Sequence, residues 1–387
     1  MFDIPLSEPF LNGNEWKYVK ECIDTKWVSS SGKFVELFEE KISEYTGSNY
    51  AVACVNGTSA LQVSLRLSGV LPGDEVIVPS LTFIAPINAI LYNDAKPIFM
   101  DSDDFYNIDI NKTIQFIKNE TVIKDGFTFN KFTNKKISAI IPVHIWGNAV
   151  WLDELIPLCK ERNIAVIEDA SESLGSFYKK GEYNEKHTGT LGLLGCFSFN
   201  GNKIITSGGG GMIITNDEKL AKKARYLTTQ AKDDPIRYIH NEVGYNFRLT
   251  NIQAALGVAQ LEQLPEFLER KNKLFLNYKN ILDDYRNGIE IADVPDYAKN
   301  NHWMNLLRID NKSYGKNPET IIKKMSKIGI ETRPVWMLNH LQKPYKNCQN
   351  YEITNAITLM DNSLCLPSSV NLSKDDATNL IKEIINE

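Results

Sequence analysis

One lysine poses the first chemical question. In residues 196–212, CFSFNGNKIITSGGGGM, Lys203 follows a short aromatic-rich run and precedes four consecutive glycines, with no charged residue within five positions. An ammonium is costly to take out of water unless it is paired or neutralised. Two readings fit. One is a loop lysine reaching back to solvent beside a glycine hinge. The other is a neutral amine held as a Schiff base to a carbonyl compound, where desolvation sharpens its nucleophilicity.

Two further residue sets sit at the ends of apolar, strand-like runs. AVACV (51–55) leads into Asn56-Gly57-Thr58-Ser59-Ala60 and then into the helical LQVSLRLSG. A glycine turn and two hydroxyls at a helix N-terminus suit a phosphate, because free N–H groups and the helix dipole favour negative charge there. Thr58 or Ser59 as a simple N-cap is the plainer alternative. The segment has neither GxGxxG nor the full P-loop pattern, which argues against a dinucleotide or ATP site. IAVI (164–167) ends in Glu168-Asp169-Ala170-Ser171-Glu172. A carboxylate that ends a buried strand needs a cationic partner, and a protonated pyridine nitrogen is one; capping a following helix is the other use for Asp169. CFSF (196–199) then delivers Ser198 and Lys203. In chain order, phosphate cradle, buried acid and isolated lysine fit pyridoxal 5′-phosphate better together than singly.

Such groups need a scaffold. Between residues 50 and 215 short apolar runs alternate with helical stretches: AVACV, EVIVP (75–79), KPIFMD (96–101), SAIIPVH (138–144), IAVIED (164–169), CFSF and GMIIT (211–215). Continuous rather than alternating apolarity predicts strands covered on both faces, hence an α/β fold with a mostly parallel sheet whose ligands bind at the carboxyl ends of strands. Residues 14–26 and 34–45 read as amphipathic helices. Between them the loop WVSSSGK (27–33) either meets a phosphate or sugar or caps the next helix. After Asn216, residues 218–234 predict a charged, basic helix, and residues 251–282 one long helical pattern interrupted near Pro265. The final third mixes strands and helices as a smaller α+β domain does. The expected division is a large domain over 1–260, including the N-terminal helical segment, and a small C-terminal domain over 261–387.

With 387 residues, 43% hydrophobic, 24% charged and a net charge of −5, the composition is that of a globular protein with no basic surface for nucleic acid or an anionic membrane. The N-terminus lacks signal-peptide regions and no run approaches the roughly 18 apolar residues of a span. A cytoplasmic location without membrane association is expected. Six cysteines without a CxxC pair and five histidines without HxH or HExxH argue against a disulfide framework and a metal site.

The ordered set NGTSA, PSLTF, EDASESLGS, FSFNGNKIITSGGGG and GYNFRLTN, in a match running from PLSEPFLNGNE to RPVW and LCLPSS, resembles the DegT/DnrJ/StrS family of pyridoxal phosphate-dependent nucleotide-sugar aminotransferases. That family has the fold-type I, aspartate aminotransferase-like architecture. The wording NGNKIITSGGGGM and WVSSSGKFV is most similar to the branch that aminates C4 of UDP-4-keto-6-deoxy-N-acetylglucosamine, in the bacillosamine and legionaminic acid pathways. The resemblance implies that Lys203 forms the Schiff base, Asp169 pairs with the pyridine nitrogen and Phe83 stacks on the ring. It implies that Gly57, Thr58, Ser59 and Ser198 hold the phosphate, joined by Asn246 of the partner subunit, so that a homodimer shares its sites. Glu172, where many members have His or Gln, would contact the ring hydroxyl, and its own protonation there is open. Arg333 of ETRPVW is either the substrate-side cation or a surface arginine before a proline turn; Lys33, Trp146 and Asn148 are further substrate-side candidates.

The implied reaction is ping-pong transfer from L-glutamate through pyridoxamine phosphate to the sugar ketone, for surface glycan biosynthesis. Rival substrates are GDP-4-keto-6-deoxymannose, as in perosamine synthesis, a dTDP-keto-sugar, or a C3 ketone. A sugar dehydratase of the same fold has histidine in place of the lysine, so Lys203 argues against it. A non-catalytic regulatory protein on this fold would append a helix-turn-helix and a basic patch, and neither is evident.

Overall fold

The apolar runs of the first two thirds pair into one sheet. In the computed structural model, which describes residues 2–234, 236–285 and 287–385, the strands are β1 (Tyr50–Cys54), β2 (Glu75–Pro79), β3 (Lys96–Met100), β4 (Ile137–Ile140), β5 (Ala165–Asp169), β6 (Leu194–Ser198), β7 (Gly211–Thr215) and β8 (Asn350–Tyr351). Their spatial order is β1-β7-β6-β5-β4-β2-β3-β8. From β6 to β8 every pairing is parallel, whereas β7 runs antiparallel to both β6 and β1. Every residue of β2, β4 and β7 is buried, as two-sided coverage requires. β4 is shorter than the run SAIIPVH because Pro142 has no N–H to continue the ladder. The chain nevertheless stays beside β5, with Val143 bridged to Asp169.

Helices α1 (Glu15–Asp24) and α2 (Lys33–Thr46) pack on the long helix Asn251–Tyr285, and α3 (Gly57–Leu67) lies over β6 and β7. The long helix departs from expectation: it runs 35 residues straight through Pro265 without interruption. Pro265 is exposed, so the hydrogen bond it cannot make is lost on the solvent side. That loss costs about 3 kcal/mol. The flanking Leu264 and Phe267 are fully buried, at roughly 1.5–3 kcal/mol each, and outweigh it.

The same helix crosses the division expected at 260/261. Ala254 to Phe267 pack into the first core; Leu274, Phe275, Tyr278 and Leu282 pack into a second. This second core rests on a four-stranded antiparallel sheet of Ile289–Ile291, Asn305–Ile309, Ser363–Leu366 and Arg333–Pro334, with helices Pro318–Lys327 and Lys374–Ile385. The two cores are separate in space but not at one point in the chain. β8 returns from the C-terminal third to the large sheet, while Ile4 bridges to Ile330 beside the small one.

Candidate active site

The carboxyl ends of β1, β2, β5 and β6 open on one cavity of about 310 Å³, lined by Gly57, Thr58, Phe83, Asp169, Glu172, Ser198, Lys203, Trp303 and Trp336 among others. That is cofactor-sized, in the range of roughly 300–1,000 Å³. A wider groove of about 830 Å³ beside the small sheet has no comparable set. Its Arg308 is already bonded to the Tyr106 hydroxyl and the Asp104 carbonyl.

Asn56, rather than Thr58 or Ser59, caps α3: its Oδ1 accepts the Ser59 N–H at 2.8 Å. The Thr58 and Ser198 side chains therefore line the cavity without a capping duty, while Ser59 is buried just outside the lining. A Cβ on Gly57 would stand 2.9 Å from the Ser198 Cβ, and one on Gly211 2.4 Å from the Asn56 carbonyl. Glycine is what lets this turn close on β6 and β7. The result is bare backbone, two hydroxyls and the first turn of an eleven-residue helix, a combination whose chemistry suits a phosphate.

Successive strand residues point to opposite faces, and the two acids ending β5 have opposite circumstances. Glu168 accepts from His144 Nε2 at 2.9 Å and from the Gly189, Leu191 and Gly192 N–H groups at 2.8, 2.7 and 2.6 Å. The Val150 N–H donates to His144 Nδ1 at 3.0 Å, so Nε2 carries the hydrogen that Glu168 receives. Burial pushes the Glu168 carboxyl up, but these hydrogen bonds hold it below the usual range. Asp169 accepts the Ser171 N–H at 3.1 Å, belongs to no ion pair among the described residues, and is raised by burial. Turns rather than a helix follow it, so capping does not explain it. It is a buried carboxylate facing a cavity, still in need of a cation.

Lys203 acquires from the fold what its neighbours in the chain do not offer. Nζ donates to Glu172 Oε1 at 3.2 Å and lies 4.0 Å from the centre of the Trp303 ring, with its side chain 13% exposed. Glu172 Oε2 accepts the Trp146 N–H at 2.8 Å; burial raises the Glu172 carboxyl, against the pull of Lys203. Phe83 is half exposed at the mouth, tilted 57° to Trp336 with ring centres 5.8 Å apart.

The remaining expected residues do not line this cavity. The Trp146 ring packs behind Trp336 and against Tyr106, with centres 5.1 Å from each. Asn148 is bonded to the Phe105 carbonyl and to Asn300. Lys33 pairs with Glu21, and Arg333, 60% exposed, pairs with Glu331 at 2.6 Å. Asn246 is bridged to Thr229. In the 27–33 loop Gly32 precedes α2 without a side-chain cap, and Asn251 Oδ1 accepts the Phe34 N–H at 3.0 Å in the role expected of a serine. Sequence reasoning did not single out His144, Trp303 or Trp336. His144 ends an apolar run as Asp169 does, and that signal was available; Trp303 enters from 100 positions away and had none.

Among the described residues no helix is long and apolar enough to cross a membrane, and no group of three or more His, Cys, Asp or Glu could hold a metal. Residues 9–385 match the model of the DegT/DnrJ/EryC1/StrS aminotransferase family. EpsN of Bacillus subtilis, whose name assigns it as a pyridoxal phosphate-dependent aminotransferase, is 37% identical over 389 residues, spanning 99% of this chain and 95% of EpsN. A GDP-perosamine synthase of Caulobacter vibrioides is 38% identical, with 98% of each chain covered. Among solved structures, Helicobacter pylori PseC, an aminotransferase involved in the biosynthesis of pseudoaminic acid, is similar with a TM-score of 0.86 at 25% identity over 99% of this chain and 98% of that one.

Proposed function

This chain belongs to the DegT/DnrJ/EryC1/StrS aminotransferase family, and we propose that it moves the amino group of L-glutamate to C4 of a nucleotide-linked 4-keto-6-deoxy sugar in surface glycan biosynthesis. It is a sugar aminotransferase dependent on pyridoxal 5′-phosphate. The observation that carries the proposal is the convergence on one cavity of a lysine, a buried carboxylate with no ion-pair partner among the described residues, and a turn suited to a phosphate.

Asp169 would hold a proton on the ring nitrogen, whose charge answers the carboxylate that burial raises. Thr58, Ser59 and Ser198, with the Gly57 turn, would seat the phosphate. Phe83 would cover the ring. Bound there, pyridoxal phosphate supplies a carbonyl to take up the amino group and a ring that draws electrons from the breaking C–H bond. Lys203, freed from the cofactor carbonyl, would take the proton from the α-carbon of L-glutamate and pass it to the cofactor in the first half-reaction; in the second it would take a proton back from the cofactor and place it on sugar C4. Glu172, 3.2 Å from Nζ, keeps the amine beside that path. Trp303 and Trp336 form an apolar wall that limits water there. Asn246 of the partner subunit would complete the phosphate site in a cytoplasmic homodimer; the exposed Ile236, Tyr238 and Val243, a few positions before it in the chain, supply apolar surface for a second copy to cover.

UDP-4-keto-6-deoxy-N-acetylglucosamine is the first reading of the sugar, on the wording around Lys203 and in the 27–33 loop. The 38% identity to GDP-perosamine synthases of Caulobacter vibrioides and Escherichia coli favours GDP-4-keto-6-deoxymannose as the second. The visible spectrum tests the reaction: L-glutamate should bleach the band of the bound cofactor in the wild type and not in Lys203→Ala. The bleached enzyme, mixed with each keto-sugar separately, should regain its band with the true substrate. A spectrum indifferent to glutamate sinks the proposal, and recovery with the GDP-sugar alone replaces the first sugar by the second.

A further inference from the structure

Behind the cavity wall a second lysine is buried, and the reaction as derived makes no use of it. Lys271 stands on the long helix and is only 2% exposed. Among the described residues it has no carboxylate partner; its Nζ donates to the Trp303 carbonyl at 2.9 Å and to the Ser368 carbonyl. A hydrocarbon side chain would fill the space without the penalty of burying an amine, but would leave two carbonyls unpaired. Two acceptors match the two N–H groups of a neutral amine, and burial does bring Lys271 down to about 7.

One of the two residues Lys271 holds, Trp303, also touches Lys203. The Trp303 ring faces Lys203 Nζ at 4.0 Å, and its indole N–H donates to the carbonyl of Asn202, the residue before that lysine, at 2.6 Å. The Trp303 backbone N–H is held by Asn301 Oδ1 at 2.9 Å, and Asn301 Nδ2 in turn donates to the Glu172 carbonyl at 2.8 Å. Trp303 is thus pinned at its N–H, its carbonyl and its indole, and Lys271 supplies the carbonyl pin. We propose that Lys271 is a positioning residue of the active site: by fixing the Trp303 peptide it keeps the indole against Lys203, and so keeps the reacting amine beside Glu172.

The proposal rests on Lys203 carrying the cofactor, but not on which sugar is aminated. A double-mutant cycle tests it on the holoenzyme, with Lys271→Met, Trp303→Phe and the pair. The readouts are the pH midpoint of the cofactor's visible band, the single-turnover rate with L-glutamate, and Tm. Each single variant should shift the band midpoint and slow the single-turnover rate by about tenfold, with KM for glutamate changed less than about twofold; the pair should be slowed about tenfold as well, because both changes remove the same contact. A hundredfold loss in the pair would mean that Lys271 acts independently of Trp303. A wild-type band and rate in Trp303→Phe overturns the proposal whatever Lys271→Met does, and a Lys271→Met enzyme altered only in Tm makes the lysine purely structural. Should that variant not fold, Lys271→Gln, which keeps two N–H groups on a shorter arm, takes its place in the cycle. Borohydride trapping with peptide mass mapping keeps the two ideas apart. A mass on a residue other than Lys203 takes down the functional reading and this proposal together, whereas an additive cycle with the mass on Lys203 sinks only the positioning role.

Discussion

Lys203 and Lys271 are both sunk in the protein and both touch Trp303, yet one faces a cavity and the other a sealed junction. The Lys271 amine meets two carbonyls, and Asn300 and Asn301 are bonded to the loops beside them. On the Lys203 side, Asp169 is buried with no ion-pair partner among the described residues, and the Thr58 and Ser198 side chains and the first turn of α3 line the cavity. The same contrast separates Glu168 from Asp169, one residue apart. Burial alone therefore does not single out a candidate site; convergence of such groups on a cavity does.

The largest effect should come from the open side. Lys203→Ala is expected to lower transamination by at least about 10⁴-fold while still binding pyridoxamine phosphate, measured by turnover and by titration of the cofactor. Ordinary turnover in that variant would erase the contrast.

Asp169→Asn comes next, with an expected loss of about 10²–10⁴-fold in turnover and an opposite effect on the cofactor-free protein. Burial raises the Asp169 carboxyl, so the folded state binds that proton more tightly than the unfolded chain. The cofactor-free wild type should therefore lose stability as pH rises from the ordinary carboxylate range through the raised value, and the asparagine variant should escape that loss. A higher Tm for the variant at neutral pH is the expected result; a lower one would mean that Asp169 is already satisfied.

On the sealed side the sign follows from a base. Lys271 is lowered by burial from 10.5 to about 7, so between those values the unfolded chain holds the proton that the folded one has shed. Wild-type stability should climb across that interval, and Lys271→Met should show no such climb in denaturant titrations at pH 7, 8 and 9. The smallest effect belongs to the surface. Arg333→Ala removes an exposed pair with Glu331 and should leave stability within about 0.5 kcal/mol. KM for the nucleotide sugar is expected to stay unchanged, as for the surface arginine the structure shows, and a raised KM would bring Arg333 to the substrate side.

Much of the scaffold was legible because its signals are local. Two-sided burial writes continuous apolar runs, so β2, β5 and β7 lie where EVIVP, IAVIED and GMIIT stand. The Asn, Gly, Thr and Ser turn ahead of a helical run stands where α3 begins at the cavity. The order of turn, acid and lysine along the chain is likewise a property of the primary structure, as is the family resemblance those segments carry.

What lay outside that reach is everything that depends on which segments meet. Glu172 is 31 residues from Lys203, and Trp303 a hundred. No periodicity links such positions; they are brought together when the large sheet, the long helix and the small sheet bury their apolar faces together. The same cooperative burial carries the helix through Pro265, against a local penalty of about 3 kcal/mol, because Leu264 and Phe267 gain more by staying in the core. Local preference is a matter of a few tenths to a few kilocalories per residue. The partner of a buried charge is decided by the packing of the whole chain, and so Lys203, isolated in sequence, stands between a carboxylate and an indole in the fold.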